Sequence, residues 1–93
     1  MQVNVTNNRS AQQFEAQVDG YQALIRYTLA SRTMTMTHTE VPDELGGRGV
    51  GSQLVRGALE QARVEGLQVV PVCPFIASYI ARHEEYQSLV VKS

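Results

Sequence analysis

Apolar and polar residues alternate along the first part of the chain. A period of two residues is typical of β-strands that bury one face. We predict four such strands, with a hairpin turn at Asp19 and Gly20, where glycine adopts positive φ without strain. A weaker turn is predicted at Ser31 and Arg32. The predicted strands cover residues 3–5, 14–18, 21–29 and 34–41.

The period changes after Pro42, which has no amide hydrogen to donate and therefore ends the fourth strand. From Val50 onward, apolar residues recur along one side of a helix, and Gly66 is the type of residue that follows a helix end. The pattern predicts an amphipathic helix between these two positions. Its apolar stripe consists of Val50, Leu54, Val55, Ala58, Leu59 and Ala62.

A short apolar strand over residues 67–72 follows the helix, and its composition suits a sheet that is covered on both faces. Pro71 lies inside this strand, which indicates a bulge there or a neighbouring strand that has diverged. A second helix is predicted over residues 74–82, with Pro74 at its first position. Residues 84–91 show no decisive pattern.

The order strand, helix, strand places residues 34–41 and 67–72 side by side and parallel, joined by a right-handed crossover. Both strands then end at the same edge, where the long helix begins. Ligands bind at such carboxyl edges of parallel strands. The predicted fold is therefore α/β, with a mixed and mostly antiparallel sheet and two main helices.

Size and charge restrict the function further. The 93 residues form a single domain, are 43% hydrophobic and 18% charged, and carry a net charge of −1. This balance argues against a nucleic-acid partner, and no apolar run is long enough to span a membrane. The N-terminus lacks an export signal, so we expect a cytoplasmic protein. One cysteine and two histidines without a ligand-type spacing predict no metal site.

A glycine-rich segment lies between the fourth strand and the long helix. A helix start presents unpaired amide groups and a partial positive charge, and glycines let a phosphate approach them closely. A diphosphate is therefore the expected ligand of this loop. The predicted binding residues are Gly46, Gly47, Arg48, Gly49, Val50, Gly51 and Ser52.

Two other phosphate loops fit less well. The Walker loop requires a lysine before its Ser or Thr, but Gly51 directly precedes Ser52. The dinucleotide fingerprint requires a further glycine where Ser52 stands. A helix-entry loop with excess glycine remains the structural alternative.

The loop resembles the acetyl-CoA pyrophosphate loop of the GNAT superfamily, written Q/R-x-x-G-x-G/A. Gly49 and Gly51 match its glycines, whereas Gly46 stands where Gln or Arg is usual, so that side-chain contact is missing. The resemblance covers most of the chain and identifies it with compact, single-domain GNAT-like acetyltransferases. It rests on His38-Thr39-Glu40-Val41-Pro42, the loop, Leu54-Val55, Ala58-Leu59-Glu60, the run from Gly66 to Phe75, Tyr79-Ile80 and His83-Glu84-Glu85-Tyr86.

The resemblance implies a sheet that splays at the cofactor site, between the strands ending at Val41 and Cys73. It implies acetyl-CoA as co-substrate, with its pantetheine arm paired to the backbone near Thr39 and Val41. The helices that longer GNAT enzymes insert after their first strand have no room here. Because those helices help to shape the acceptor pocket, the acceptor stays open: a small amine, a peptide N-terminus or a lysine side chain. The oligomeric state is open as well.

Three residues are catalytic candidates. Cys73 is a candidate N-cap, where the helix end lowers a thiol pKa, and it acts as a nucleophile, as a polar wall residue, or only as a small buried residue. His38, predicted on the same side of its strand as Met36 and Glu40, is a candidate base. Tyr79 matches the GNAT tyrosine that protonates the departing CoA thiolate, with core packing as the alternative.

The expected reaction is transfer of an acetyl group from acetyl-CoA to an amine, on a small molecule or a protein. The alternative is a non-catalytic acyl-CoA-binding or interaction module with the same fold. The missing side chain at Gly46 and the reduced acceptor walls favour that alternative modestly.

Overall fold

The computed structural model describes residues 3–91 of the chain. These residues form five strands, two α-helices and two 3-10 turns. The elements are β1 (Thr6–Asn8), β2 (Gln13–Val18), β3 (Tyr21–Ala30), β4 (Thr33–Glu40), a 3-10 turn (Asp43–Leu45), α1 (Val50–Val64), β5 (Gln68–Pro71), α2 (Pro74–Ala81) and a second 3-10 turn (Glu84–Leu89). The predicted mixed α/β class with two main helices is confirmed.

The five strands form one sheet in the order β1-β2-β3-β4-β5. The first three pairings are antiparallel, and β4 pairs with β5 in parallel. Both predicted hairpin turns form. Asp19, Gly20, Ser31 and Arg32 all have positive φ, as a two-residue turn requires when its twist matches that of the strands.

Both helices pack on one face of this sheet. Phe14 and Ile25 are paired in register and fully buried, and they belong to a single core cluster with the stripe of α1 and with Ile76 of α2. The other face carries exposed polar side chains such as Gln22 and Arg26. No helix within residues 3–91 is long and apolar enough to cross a membrane.

The end of α1 follows the predicted glycine. Gly66 has a φ of 70°, its amide donates to the Arg63 carbonyl, and the Leu67 amide donates to the Ala62 carbonyl. These two bonds satisfy carbonyls that a helix end leaves unpaired. They also turn the chain directly into β5, which places that strand beside β4.

The predicted first strand over residues 3–5 is wrong, because the strand begins at Thr6. Residues 3–5 lie along α1 instead. The Val3 amide donates to the Gln53 side chain at 3.1 Å, and the Gln61 side chain donates to the Val5 carbonyl at 2.9 Å. Val3 and Val5 pack against the core. Alternation over only three residues could not distinguish a strand from a segment packed on a helix.

This contact with α1 predicts the effect of Gly57→Ala. Alanine favours a helix interior by about 1 kcal/mol over glycine. However, a Cβ at Gly57 would lie 2.5 Å from Cγ2 and 2.8 Å from Cβ of Val5, and such overpacking costs about 1–3 kcal/mol. We expect a net loss of about 1 kcal/mol in the free energy of unfolding, measured by urea denaturation. The variant V5A/G57A should recover part of it, and a stabilised single variant would contradict this packing.

The second 3-10 turn closes the core beyond α2. Tyr86 is almost fully buried, and its hydroxyl donates to the Glu60 carboxylate at 2.6 Å. After it, Val90 bridges Val69 in parallel, and the Val91 amide donates to the Val69 carbonyl at 3.0 Å. Residues 84–91, where the amino-acid pattern is not decisive, therefore cover the outer edge of β5.

Candidate functional site

The parallel pair separates before β4 ends. Register between β4 and β5 stops at Met36 opposite Pro71. The Met36 carbonyl then accepts from the amides of both Val72 and Cys73, each at 3.1 Å. Beyond this point β4 continues to Glu40 beside β3 alone. The predicted splay at Pro71 is confirmed, and it opens the sheet at its carboxyl edge.

A β-bulge in β4 accompanies this opening. Arg26 of β3 is opposite His38, but the next β3 residue, Tyr27, is opposite Met36, so Thr37 is an extra residue in β4. A bulge reverses which side chains face the core and bends the strand. Thr39 is opposite the fully buried Ile25. Thr39 therefore faces the helices, because residues opposite in register share a face.

The glycine loop leads from the 3-10 turn Asp43–Leu45 into α1. Gly47 and Gly49 have φ values of 76° and 75°, and Gly49 is the N-cap of α1. No described side chain caps this helix start. The amides of the first turn, which have no partner within the helix, thus remain available. A Cβ at Gly47 or Gly49 would meet no atom within 4 Å, so both positions lie beside open space.

A cleft with a volume of about 260 Å³ lies at this helix start. Val41, which directly follows β4, forms one wall, and Phe75 of α2 forms another. A Cβ at Gly51 would lie 3.1 Å from the Phe75 ring and 3.4 Å from Val41 Cγ2, so glycine keeps the space between them open. The lining residues are Val41, Leu45, Gly46, Gly47, Gly49, Val50, Gly51, Ser52 and Phe75.

Arg48 of the loop is ion-paired with Asp19 at 2.7 Å. Asp19 belongs to the turn between β2 and β3, so this contact joins the first hairpin to the glycine loop. Arg48 is not among the described residues that line the cleft. The sequence predicted Arg48 as a binding residue but did not identify Asp19 as its partner. The two residues are far apart in the chain, and only the tertiary fold brings them together.

Cys73 lies where the opening begins. It is the N-cap of α2, is 7% exposed, and its sulfur lies 3.4 Å from the Thr39 hydroxyl across the gap. Burial acts to raise the pKa of this thiol, but interactions with Thr39 and with the amides of Ile76 and Phe75 outweigh it and hold the pKa below the ordinary 9.0. The thiol itself makes no capping hydrogen bond to the start of α2. The backbone amides of Phe75 and Ile76 instead stabilise the thiolate form, which carries the negative charge.

Comparisons with known proteins agree with this geometry. The family model described as GCN5-related N-acetyl-transferase matches residues 13–89. The chain belongs to this family. Membership in the GNAT family places it among proteins whose general chemistry is acyl transfer.

Two curated relatives share its sequence at moderate identity. Protein NATD1 of Mus musculus is 31% identical over 81 residues, which cover 84% of this chain and 74% of the relative. Protein NATD1 of Xenopus tropicalis is 30% identical, with the same coverage. The NMR structure of a GCN5-like protein from Staphylococcus aureus superposes on this chain with a TM-score of 0.73 at 27% sequence identity. The alignment covers 97% of this chain and 89% of that protein.

Gly46 departs from the GNAT loop pattern for a packing reason. Its φ of −61° and ψ of 143° suit any residue. However, its amide donates to the Asp43 carbonyl at 2.9 Å, and a Cβ would lie only 3.1 Å from that same oxygen. The tight 3-10 turn therefore favours glycine at the position where the GNAT loop pattern has Gln or Arg.

His38 does not face Cys73 in this GNAT domain, contrary to the prediction that it shares a side with Met36. Because of the bulge at Thr37, His38 lies opposite exposed Arg26 on the polar face of the sheet. Its Nε2 lies 3.6 Å from the Glu40 carboxylate, and both side chains are more than half exposed. Neither His38 nor Glu40 is placed to take a proton from Cys73.

Tyr79 lies one turn after Phe75 on α2, but beside a different cavity from the one at the glycine loop. Its ring stacks on His83 with centroids 3.8 Å apart. Burial raises the pKa of Tyr79 above 10.0, which keeps the hydroxyl protonated. Its part as the acid that protonates CoA stays a prediction.

Proposed function

We propose that this GNAT domain transfers an acetyl group from acetyl-CoA to an amine. The observation that carries the proposal is the start of α1, where uncapped amides meet a cleft beside the opening between β4 and β5. A helix start of this kind binds a diphosphate through its amides and its dipole. The splayed strands leave room beside β4 for an extended arm.

The described residues fit the co-substrate. The diphosphate would lie against the amides from Gly47 to Ser52, and the pantetheine arm would run between Val41 and Phe75. The absence of a side chain at Gly51 keeps that passage open, since even a Cβ there would touch both walls. An arm following β4 toward Thr39 ends beside Cys73, because the two side chains meet across the gap.

The position of Cys73 favours a covalent route. Its thiolate attacks the carbonyl carbon of the thioester, the bond from that carbon to the CoA sulfur breaks, and the departing CoA thiolate takes up a proton from water. An amine then attacks the acetyl group on Cys73, loses a proton to water and releases the cysteine. A thiol with a lowered pKa can begin these reaction steps without a neighbouring base. The route therefore does not require His38, which lies on the opposite face of the sheet.

A non-catalytic acyl-CoA-binding module is the second candidate. One observation favours it: His38 and Glu40 lie on the opposite face of the sheet from Cys73, so neither is placed to deprotonate an incoming amine. Such a module would bind acetyl-CoA through the same glycine loop and would produce no free CoA.

Acetyl-CoA binding and turnover test these two candidates separately. Saturation at about 100 times Kd stabilises a folded protein by about 2.7 kcal/mol, and we expect a rise in Tm on the order of 10 °C for a domain of this size. Thiol detection across a panel of small amines and lysine peptides should then reveal release of CoA. A shift without release would favour the module, and no shift with either CoA or acetyl-CoA would overturn both.

A further inference from the structure

A second cavity lies on the far side of Ser52 from the glycine-loop cleft, between α1 and α2. Its volume of about 350 Å³ lies within the range of about 300–1,000 Å³ that is typical of small-ligand pockets. Its described lining contains two arginines and a histidine, and no carboxylate. The lining residues are Ser52, Gln53, Arg56, Tyr79, Arg82 and His83.

Arg56 of α1 is one of the two arginines that line this groove. It interacts with the hydroxyl of buried Tyr86, and that hydroxyl donates to Glu60. A guanidinium group has five N–H donors, so one such contact leaves others for a ligand. Glu60 and Glu85 lie near enough to affect Tyr79, but neither lines the groove.

His83 completes the α2 side of the groove. Its ring stacks on Tyr79 at an interplanar angle of 11°, and its Nδ1 lies 2.7 Å from the Tyr79 carbonyl. Since a carbonyl only accepts, Nδ1 carries the proton. In the neutral ring, Nε2 is then the nitrogen without a proton.

We propose that this groove binds the 3′-phosphate of CoA, with Arg56 and Arg82 as its cationic ligands. The inference rests on the proposed function, because it requires the diphosphate of the same cofactor at the start of α1. Ser52 lines both cavities, so a ligand held at the first turn passes into the groove over that residue.

The spacing along α1 suits this ligand. Arg56 follows Ser52 by about one helical turn, a rise of about 5.4 Å per turn. The 5′-diphosphate and 3′-phosphate of CoA are carried by one ribose and are separated by a comparable distance. A guanidinium also matches a phosphate through two parallel hydrogen bonds, which a lysine cannot provide. The groove therefore selects the 3′-phosphorylated cofactor.

Calorimetry with CoA and with dephospho-CoA, which lacks only the 3′-phosphate, tests the inference. We expect the wild-type protein to bind CoA about tenfold more tightly at low salt, with the preference falling as ionic strength rises, because partly exposed charges are screened. Arg82→Gln should reduce the preference to about threefold through loss of one cation. The variant R56Q/R82Q should bind both ligands equally.

Arg26→Gln is the matched control, because it removes the same charge from the opposite face of the sheet. It should keep the full preference for CoA, and circular dichroism should show all variants folded. Equal binding of both ligands by the wild-type protein would overturn the inference and leave the proposed function standing. A preference that persists in R56Q/R82Q would overturn the assignment to this groove. Binding of neither ligand would overturn the proposed function itself, and the inference with it.

Discussion

Gly51→Leu is expected to weaken CoA binding about 100-fold or more, equivalent to about 2.7 kcal/mol, while α1 stays folded. Gly51 lies in the first turn of α1 between Val41 and Phe75, and a Cβ there already reaches the Phe75 ring at 3.1 Å. An isobutyl group continues from that Cβ into the space between the two walls. Leucine is also a better helix former than glycine, so the loss of binding should occur without unfolding.

Gly51→Ala separates obstruction of the cleft from a disturbance of the helix. Phe75 is 42% exposed, so its ring can move by the few tenths of an ångström that one methyl group requires. The GNAT loop pattern also accepts alanine at this position. We expect Gly51→Ala to bind CoA within about threefold of the wild-type protein, a difference below 1 kcal/mol. If Gly51→Leu also bound CoA normally in calorimetry, the cleft would not be the cofactor site.

Cys73→Ala is expected to abolish the acetyl adduct and to slow transfer about 100-fold, a rise of about 2.7 kcal/mol in the barrier. Intact mass spectrometry after incubation with acetyl-CoA should show one added acetyl group on the wild-type protein and none on the variant. The chain has one cysteine, so a thiol adduct has one possible position. Activity retained in Cys73→Ala without any adduct on the wild-type protein would show that transfer is direct.

Thr39→Val provides the control for the state of this thiol. The Thr39 hydroxyl, 3.4 Å from the sulfur, helps to lower the pKa of Cys73. The wild-type rate of alkylation by iodoacetamide should therefore rise with pH to a midpoint below 9.0, because the thiolate is the reactive form. In Thr39→Val the midpoint should move upward. An unchanged midpoint would remove Thr39 from the account of this pKa.

The same shift links folding to pH. A thiol whose pKa is lower in the folded state binds its proton more weakly there than in the unfolded chain. It therefore stabilises the fold above the unfolded pKa, and this contribution is lost as pH falls through the folded pKa. Wild-type stability should accordingly gain a small increment toward alkaline pH that Cys73→Ala lacks.

Local chemistry was enough to predict most elements of this fold. Gly20 and Gly66 adopt the positive φ angles that a hairpin turn and a helix end require. The apolar stripe of α1 is the buried face of that helix. Pro71 marks the last paired residue of β5, because proline has no amide to donate to the next pair. In each case a single residue or a regular period restricts the backbone without help from distant parts of the chain.

The placement of the catalytic candidates relative to one another depended on the tertiary fold. The bulge at Thr37 turned His38 away from Cys73 and brought Thr39 toward it. Nothing in the alternation of β4 indicates this bulge, because it arises where the pairing with β3 shifts and the pairing with β5 ends. A shift of one residue exchanges the two faces of a strand. A candidate base chosen by counting along the chain was therefore placed on the wrong face.

The sequence alone thus determined most of the elements, their order and a glycine loop at the start of a helix, since glycine, proline and apolar periodicity act over a few residues. Only the tertiary structure decided which side chains share a cavity. Arg56 of α1 and Arg82, which follows α2, line one groove although β5 lies between the two helices in the chain. Asp19 of the first hairpin pairs with Arg48 of the glycine loop. Such pairs form because packing of the helices on the sheet brings distant positions together.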